Sequence, residues 1–496
     1  MGKFITFPEL LIWLPLLGGI LSFFAKKGQS AKSLALFVSL LVLAVSAASL
    51  FYTGDKFASW NAVNYYYRNN IGSTFFVKLD GTGRILTFLT ALAFPIILTA
   101  TYRNNYKNPA SFYGLMLLAQ AGLMGVFCSM DALLFYFFWE LALIPVYFLC
   151  SQWGGEKRIQ VTFKFFVYTF VGSLLMLTGI IYVYLHTAGR VFEDGTIVSH
   201  SFSISAFQQV HLGVKEQGWL FWLFFVAFAV KMPVFPFHTW QPDAYDQSPT
   251  AVTMVLSGIM VKMGLFGVIR WLIPVFPQAS IQYSHIVMIL AVTGIIYASC
   301  LAIVQDNIKK LVAYSSIAHI GLMCAALFAM NPIGTQGVML QMFNHGINII
   351  GMWIVVDLLE QQTGVKEISK LSGVAHKAPV LTVLLVIIAL ANIALPLTNA
   401  FTGEFMMFSG LYMFSGWYAA IAGIGIILAA VYTLNMIQKV FYGNSNSIVD
   451  SLKDISLNEK LILAVIVCII FFVGVYPQPV IDLTKNAVSV LTAAVK

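Results

Sequence analysis

Charge is scarce in this chain. Only 10% of its 496 residues are Asp, Glu, Lys or Arg, against roughly 25% in an average soluble domain. Hydrophobic residues make up 59% and aromatic residues 15%. A soluble chain of this length has too few charges to cover so much apolar surface, and disorder needs the opposite composition. Cysteine is scarce too. Cys128, Cys150, Cys300, Cys324 and Cys468 share no metal-ligand spacing, and each lies in or at the end of an apolar run. They read as small buried hydrophobes, with no disulfide framework and no haem or iron–sulfur ligation. No phosphate loop, dinucleotide fingerprint or nucleophile motif occurs. No histidine pair has ligand spacing with an acidic third ligand. The chain is therefore expected to hold no metal and no cofactor of its own.

What is present is a succession of long apolar runs, the mark of an all-α polytopic membrane protein in a lipid bilayer. The stretch from Phe4 to Phe24 could pass for a signal peptide. Pro15, Gly18 and Gly19 lead into Lys26 and Lys27 without a small-residue cleavage site, so it reads as a retained first helix. Runs bounded by charges or turn residues predict fourteen spans, near 5–24, 31–52, 82–101, 111–130, 131–151, 163–186, 218–240, 249–273, 281–304, 307–330, 335–360, 378–414, 416–441 and 458–476. The run from Ala378 to Phe414 is 37 residues long. As a straight helix it would reach about 55 Å, beyond a hydrocarbon core of about 30 Å, so a break is expected at Pro396. Pro233 and Pro236 interrupt the 218–240 run in the same way. Broken backbone inside a membrane must be buried in protein or line a wet cavity. The two breaks lie 163 residues apart, which fits a tandem of two five-span units. The organisation expected is 1–110 with three helices, 111–274 and 281–441 as the two units, and 442–496 with a last helix and a short tail after Pro477. The segments Tyr52–Asp80 and Thr187–Gln217 are mixed polar and aromatic and suit short strands or hairpins.

The formal net charge is +8. In a soluble protein that would raise the question of nucleic acid; here it is loop bias. One set of loops holds sixteen of the 28 Lys and Arg residues and the other set ten. The sixteen are expected on the cytoplasmic side, with both termini on the outer side.

The remaining two basic residues, Lys231 and Lys262, lie inside apolar runs. Glu140 is their acidic counterpart, nine residues past Asp131 and so about 13 Å along a helix, near the bilayer midplane. Glu404 follows the break at Pro396. A charge at the centre of an isolated helix costs about 2.5–3.5 kcal/mol even on the gentlest scale. Either these groups form structural ion pairs that lock the bundle, or they are a chain of protonatable sites across it. Burial disfavours the charged form of either group and a partner charge favours it, so making or breaking a Glu–Lys pair can load or release a proton. His319 and His345 lie mid-span and offer intermediate stops, since an imidazole titrates near neutrality. Each could equally be a hydrogen-bond donor at a packed interface. His238 reads as interfacial.

Three segments carry a resemblance. Phe138-Trp139-Glu140-Leu141-Ala142-Leu143-Ile144-Pro145, the run from Val230 to Ala244 with Lys231, Pro233, Pro236, Trp240, Pro242 and Asp243, and Ala313-Tyr314-Ser315-Ser316-Ile317-Ala318-His319-Ile320-Gly321 resemble the signatures of antiporter-like subunits. Such subunits occur in respiratory complex I (NADH:quinone oxidoreductase) and in Mrp-type cation/proton antiporters. The likeness extends from Asp80 to about Tyr442. Glutamate at 404, where relatives usually carry lysine, the L-type and N-type complex I subunits included, argues against an Mrp-type antiporter. The resemblance implies fourteen spans in two inverted five-helix repeats and a lateral proton path along the membrane centre. It makes Glu140 and Lys231 an input ion pair, Lys262 the central lysine, His319 and His345 connecting groups, and Glu404 the terminal residue. It places FMN, iron–sulfur clusters, NADH and quinone on partner subunits, and implies neighbours of the L and N type and a peripheral redox arm. The localisation implied is a bacterial cytoplasmic (inner) membrane. No redox active site is expected in the chain itself.

Overall fold

A computed structural model describes residues 5–66, 71–191 and 197–495. Lys3, Arg68 and Lys496, counted above with the less basic loops, lie outside the described residues. Eleven helices are long and apolar enough to cross a membrane, and Phe7–Phe23 and Pro379–Asn392 are shorter apolar helices. The chain is an integral membrane protein built almost wholly of helix.

The principal helices are α1 (Phe7–Phe23), α2 (Gly28–Phe51), α3 (Gly81–Ala100), α4 (Pro109–Cys128), α5 (Ala132–Trp153), α6 (Arg158–Leu185) and α7 (Val214–Lys231). There follow α8 (Gln241–Gln247), α9 (Thr250–Val275), α10 (Pro277–Val304), α11 (Ile308–Phe328) and α12 (Pro332–Thr363). The last are α13 (Pro379–Asn392), α14 (Asn399–Phe414), α15 (Gly416–Phe441), α16 (Leu457–Val475) and α17 (Gln478–Ala493). The polar segments between α2 and α3 and between α6 and α7 carry the two expected hairpins. Ala62–Tyr66 pairs antiparallel with Thr74–Lys78, and Arg190–Val191 with Ile197–Val198.

Burial sorts the helices. Every residue of the most apolar stretch of α9 and of α12 is buried, whereas α2, α6, α15 and α16 bury fewer than half of theirs. The exposed side chains on the outer helices are large and apolar, as on α6 with Ile159, Phe163, Phe170 and Val171, which suits a lipid-facing surface. The inner helices are the ones that carry Lys262, His319 and His345.

Helix starts away from water need a side chain to satisfy their first amides. Asp131 does this for α5, accepting from the Leu133 and Leu134 amides at 3.0 Å each, and also takes the Thr74 amide at 2.9 Å. Asp80 caps α3 through the Gly83 amide at 2.8 Å, and its carboxylate meets the Arg270 guanidinium at 2.6 and 2.7 Å. Burial opposes ionisation of Asp80, but the Arg270 charge and the two sets of hydrogen bonds outweigh it and hold its carboxyl below the usual carboxylate range. The contribution of this pair is therefore present above the ordinary carboxylate range and lost as pH falls through the lowered value. Asp80→Asn is expected to cost about 2 kcal/mol, less than a fully buried pair because one partner is partly exposed. Thermal unfolding of the purified protein in detergent checks this, and the deficit should vanish in strongly acidic buffer.

Four sequence readings are corrected. The tail after Pro477 is not merely a short extension: α17 runs from Gln478 to Ala493 and lies against α3 and α12, where Gln336 donates to Thr484 at 2.7 Å. Cys300 and Cys468 are exposed, whereas Cys128, Cys150 and Cys324 are buried as expected. His238 is buried at 4% exposure, against Phe235 and Tyr297. Arg84 and Arg270, assigned to loops by counting, lie inside α3 and α9. Arg84 is buried and bonded to the Ser49 carbonyl and to Asn61. Long arginine side chains near helix ends reach polar backbone that a one-dimensional count does not see.

Candidate proton-conducting site

The site is assembled from helices that approach one another closely. Gly264 on α9 faces the backbone of α7: a Cβ there would lie 2.6 Å from the Phe228 carbonyl oxygen. That close approach packs the helix of Lys262 against the helix of Lys231. On the other side of the site α12 meets α14 through glycine on glycine. A Cβ on Gly337 would lie 2.8 Å from the Gly403 carbonyl, and one on Gly410 would lie 2.5 Å from the Gly334 Cα. Such small-residue contacts let membrane helices pack backbone to backbone.

Both expected breaks are present. α7 ends at Lys231, and the chain turns through Met232–Trp240 before α8 begins. The Trp240 indole donates to the Val230 carbonyl at 2.9 Å, which ties the turn back to the helix end. α13 ends at Asn392 and α14 starts at Asn399. Between them Ala394 and Leu397 hold left-handed backbone, with φ of 58° and 72°, a conformation unfavourable for residues with a Cβ. The break is held by amides. Asn344 donates to the Asn399 carbonyl at 2.6 Å, and the Asn348 and Asn399 side chains exchange two hydrogen bonds of 3.0 Å.

Two wide turns, Leu256–Met260 and Val268–Leu272, interrupt α9 on either side of Lys262. Turns of this kind displace backbone carbonyls from ordinary helical pairing and are frequent at functional sites. Here the Ser257 carbonyl accepts the Lys262 ammonium at 2.8 Å.

From Lys262 a continuous row of polar groups runs to Glu404. Lys262 Nζ lies 2.8 Å from His345 Nδ1. The rings of His345 and His319 are 5.6 Å apart between centroids. His319 Nδ1 lies 3.1 Å from Glu404 Oε1, and Gln341 donates to the same oxygen at 3.2 Å. Asn392 sets the His319 ring from the far side, near its Nε2 at 3.5 Å and bonded to Ser315 at 3.3 Å, and Tyr432 donates to Ser315 at 2.9 Å. All four members of the row are buried, from 0% exposure at Lys262 to 7% at His319. A small cavity beside His319, Glu404 and Tyr432, about 20 Å³, has room for one water.

Lys231 and Glu140 stand apart from this row. Among the described residues no hydrogen bond or ion pair joins Lys231 to either Glu140 or Lys262, and the Lys231 amine and Glu140 Oε1 have no hydrogen-bonding protein partner. Lys231 is 2% exposed, with its nitrogen 5.7 Å from the Trp139 ring centre and 5.9 Å from that of Phe165. Cation–π attraction offsets part of its burial. Glu140 is half-buried on α5, one residue from Trp139.

The row permits particular proton positions. With one proton on the Lys262–His345 contact, the ammonium donates to Nδ1 and the imidazole carries its hydrogen on Nε2. A second positive charge at this separation would be strongly repelled. His319 as imidazolium would pair with the Glu404 carboxylate. A proton shift along the row needs side-chain rotation at its two bonded ends and a bridging water or a ring movement between His345 and His319, which no hydrogen bond joins among the described residues.

Counting charges in apolar runs picks out Glu140, Lys231, Lys262 and Glu404, and the mid-span histidines stand out too. The amides that hold them are harder to see. Asn344, Asn348 and Gln341 form a polar patch visible in sequence, but Asn399, the partner of Asn344 and Asn348, and Asn392, which bonds to Ser315 beside His319, flank a break whose geometry is set by tertiary packing. Among the described residues no group of three or more His, Cys, Asp or Glu side chains has metal-binding geometry.

Residues 129–429 match the family described as NADH:quinone oxidoreductase/Mrp antiporter, TM. NADH-quinone oxidoreductase subunit M of Rickettsia prowazekii is 34% identical over 483 residues, 96% of either chain. F(420)H(2) dehydrogenase subunit M of Methanosarcina mazei is 32% identical over 96% of each chain. A chain of respiratory complex I from Thermus thermophilus superposes with a TM-score of 0.88 at 26% identity, covering 98% of this chain and 99% of that one. The chain belongs to the family of proton-antiporter-like membrane subunits shared by NADH:quinone oxidoreductases and Mrp antiporters.

Proposed function

We propose that the chain is a proton-translocating membrane subunit of a complex I-type NADH:quinone oxidoreductase. The observation that carries this reading is the buried row Lys262–His345–His319–Glu404, joined by contacts of 2.8 and 3.1 Å at its two ends. Quinone reduction on partner subunits biases the Glu140–Lys231 pair. Closing the pair stabilises the ammonium of Lys231; opening it drives a proton through Lys262 along the row to Glu404. Fourteen spans in two inverted five-helix repeats accommodate this path, with α7–α8 and α13–α14 as the two broken helices. FMN, iron–sulfur clusters, NADH and quinone are assigned to partner subunits, and this chain is assigned no redox site. Neighbours of the L and N type flank it in a bacterial inner membrane, with both termini on the outer side and the lysine-rich loops in the cytoplasm.

Glu140→Gln and Lys231→Ala are each expected to reduce proton pumping by about tenfold or more while the complex still assembles, because each removes a charge whose partner then stays buried and unbiased. The acidification of vesicles holding the purified complex, measured with a pH-sensitive dye during quinone reduction, tests this. Normal pumping by either assembled variant would sink the reading. Purification in mild detergent separates the complex from an Mrp-type antiporter: the proposal requires hydrophilic flavin and iron–sulfur subunits in the same particle.

A further inference from the structure

The row described above does not use every buried carboxylate. Asp357 lies on α12, twelve residues beyond His345, about 18 Å along the helix, toward the lysine-rich face. It is 7% exposed, and Gln361 donates to its Oδ2 at 2.5 Å. The groups that face it are the Thr250 hydroxyl from α9, the Lys309 amine from α11, Glu360 on its own helix, and Asn104 and Tyr106 from the segment before α4. Lys309 is ion-paired with Glu360 at 2.5 Å, Glu360 with Lys366 at 3.4 Å, and Lys366 with Asp246 at 3.4 Å. Asp246 and Lys366 form part of the wall of an open cleft of about 680 Å³ on the lysine-rich face. Acid and base groups thus lead from that cleft inward to Asp357.

From Asp357 polar groups continue to Lys262. Thr250, Thr253 and Ser257 are buried on α9, at 7%, 0% and 0% exposure. They rise by about 4.5 and then 6 Å along the helix. Ser257 donates to the Thr253 carbonyl at 2.8 Å, and its own carbonyl accepts Lys262 at 2.8 Å. Beside them on α8, Gln241 and Tyr245 are fully buried. The Tyr245 hydroxyl faces the Gln241 amide, and among the described residues neither side chain finds a further protein partner. Thr253 touches this pair by donating to the Tyr245 carbonyl at 3.3 Å. Each such buried orphan costs about 1–3 kcal/mol. A salt-bridge lock on the cleft explains Glu360, Lys366 and Asp246, but gives no reason for a buried Asp357 or for these unpartnered groups.

We propose that Asp357 is the residue through which this chain takes up protons from its lysine-rich face, relaying them past Thr250, Thr253 and Ser257, with Tyr245 and Gln241 alongside, to Lys262. The inference rests on the proton-conducting reading of the row. A proton from the cleft forms an O–H bond on the Asp357 carboxylate. At rest the Thr253 and Ser257 hydroxyls donate to backbone carbonyls, so the relay runs through waters between them; at each water and hydroxyl one O–H bond forms as another breaks, and each stays neutral. The last transfer breaks an O–H bond of a water beside Ser257 as an N–H bond forms on the Lys262 amine, and the ammonium is held by the Ser257 carbonyl and His345.

The test uses the intact complex in vesicles, with internal pH read by a dye during quinone reduction. Asp357→Asn is expected to slow pumping by about fivefold or more, short of the roughly hundredfold for a positioned proton-transfer group, because water in the cleft still supplies protons. The loss should deepen as the medium is made alkaline, and Asp357→Glu should restore most of the rate. Thr253→Val combined with Ser257→Ala should slow pumping in the same direction without touching a charge. Wild-type pumping by Asp357→Asn, a loss independent of pH, or equal losses in the Asn and Glu variants would overturn the proposal. Should Asp357→Asn fail to assemble, the double hydroxyl variant decides: slowed pumping supports the relay and normal pumping overturns it. Lys262→Ala measured alongside separates the two readings. If it too pumps normally, the proton-conducting role falls; if it alone is silent, only the intake falls.

Discussion

Replacing Lys262 with alanine is expected to reduce proton pumping by about a hundredfold, the scale for loss of a positioned proton-transfer group. Lys262 is 0% exposed and is the amine in contact with both the Ser257 carbonyl and His345 Nδ1. Alanine leaves both acceptors unpaired in the interior, at about 1–3 kcal/mol each, so some loss of stability accompanies the loss of function. The decisive companion is Lys262→Arg. A guanidinium keeps the charge and can still donate, but it does not give up its proton. If Lys262 only locks the bundle, arginine should pump nearly normally. If it carries a proton, arginine should be as silent as alanine while being the more stable of the two. Dye-monitored pumping and thermal unfolding of the two purified complexes separate these outcomes.

The second large effect is expected from Gly410→Leu. A Cβ at Gly410 would meet the Cα and amide nitrogen of Gly334 at 2.5 and 2.6 Å. These are backbone atoms, with no flexible side chain to yield. Overpacking costs about 1–3 kcal/mol where neighbours can adjust, and the cost here should reach or pass the top of that range. Separation of α12 from α14 also withdraws Glu404 from Gln341 and His319, so assembled protein should pump poorly. Gly423→Leu is the matched control, since nothing lies within 4 Å of a Cβ there. Abundance in the membrane and unfolding temperature should drop sharply for the first variant and little for the second.

The membrane class and the place of the breaks were legible in sequence because a bilayer imposes simple rules of length and polarity on each span. Pro233 and Pro396 marked both breaks, and Lys262, with no loop near it, had to be a buried amine. Other features depend on residues distant in sequence. His345 meets Lys262 across 83 positions and His319 meets Glu404 across 85, pairings that no local periodicity encodes. Asp357 escaped notice because it sits near the end of its apolar run, where a carboxylate is ordinarily solvated; its burial comes from α9 and α11 closing over it. Arg270 was misplaced for the converse reason: its charge partner, Asp80, lies 190 residues away in sequence.

The single contact between Lys262 and His345 carries a consequence for counting. Because two positive charges are mutually excluded there, an incoming proton waits until the resident one has moved toward His319. If the row conducts as proposed, the Lys262–His345 contact passes protons one at a time, whatever the occupancy of His319 and Glu404 beyond it.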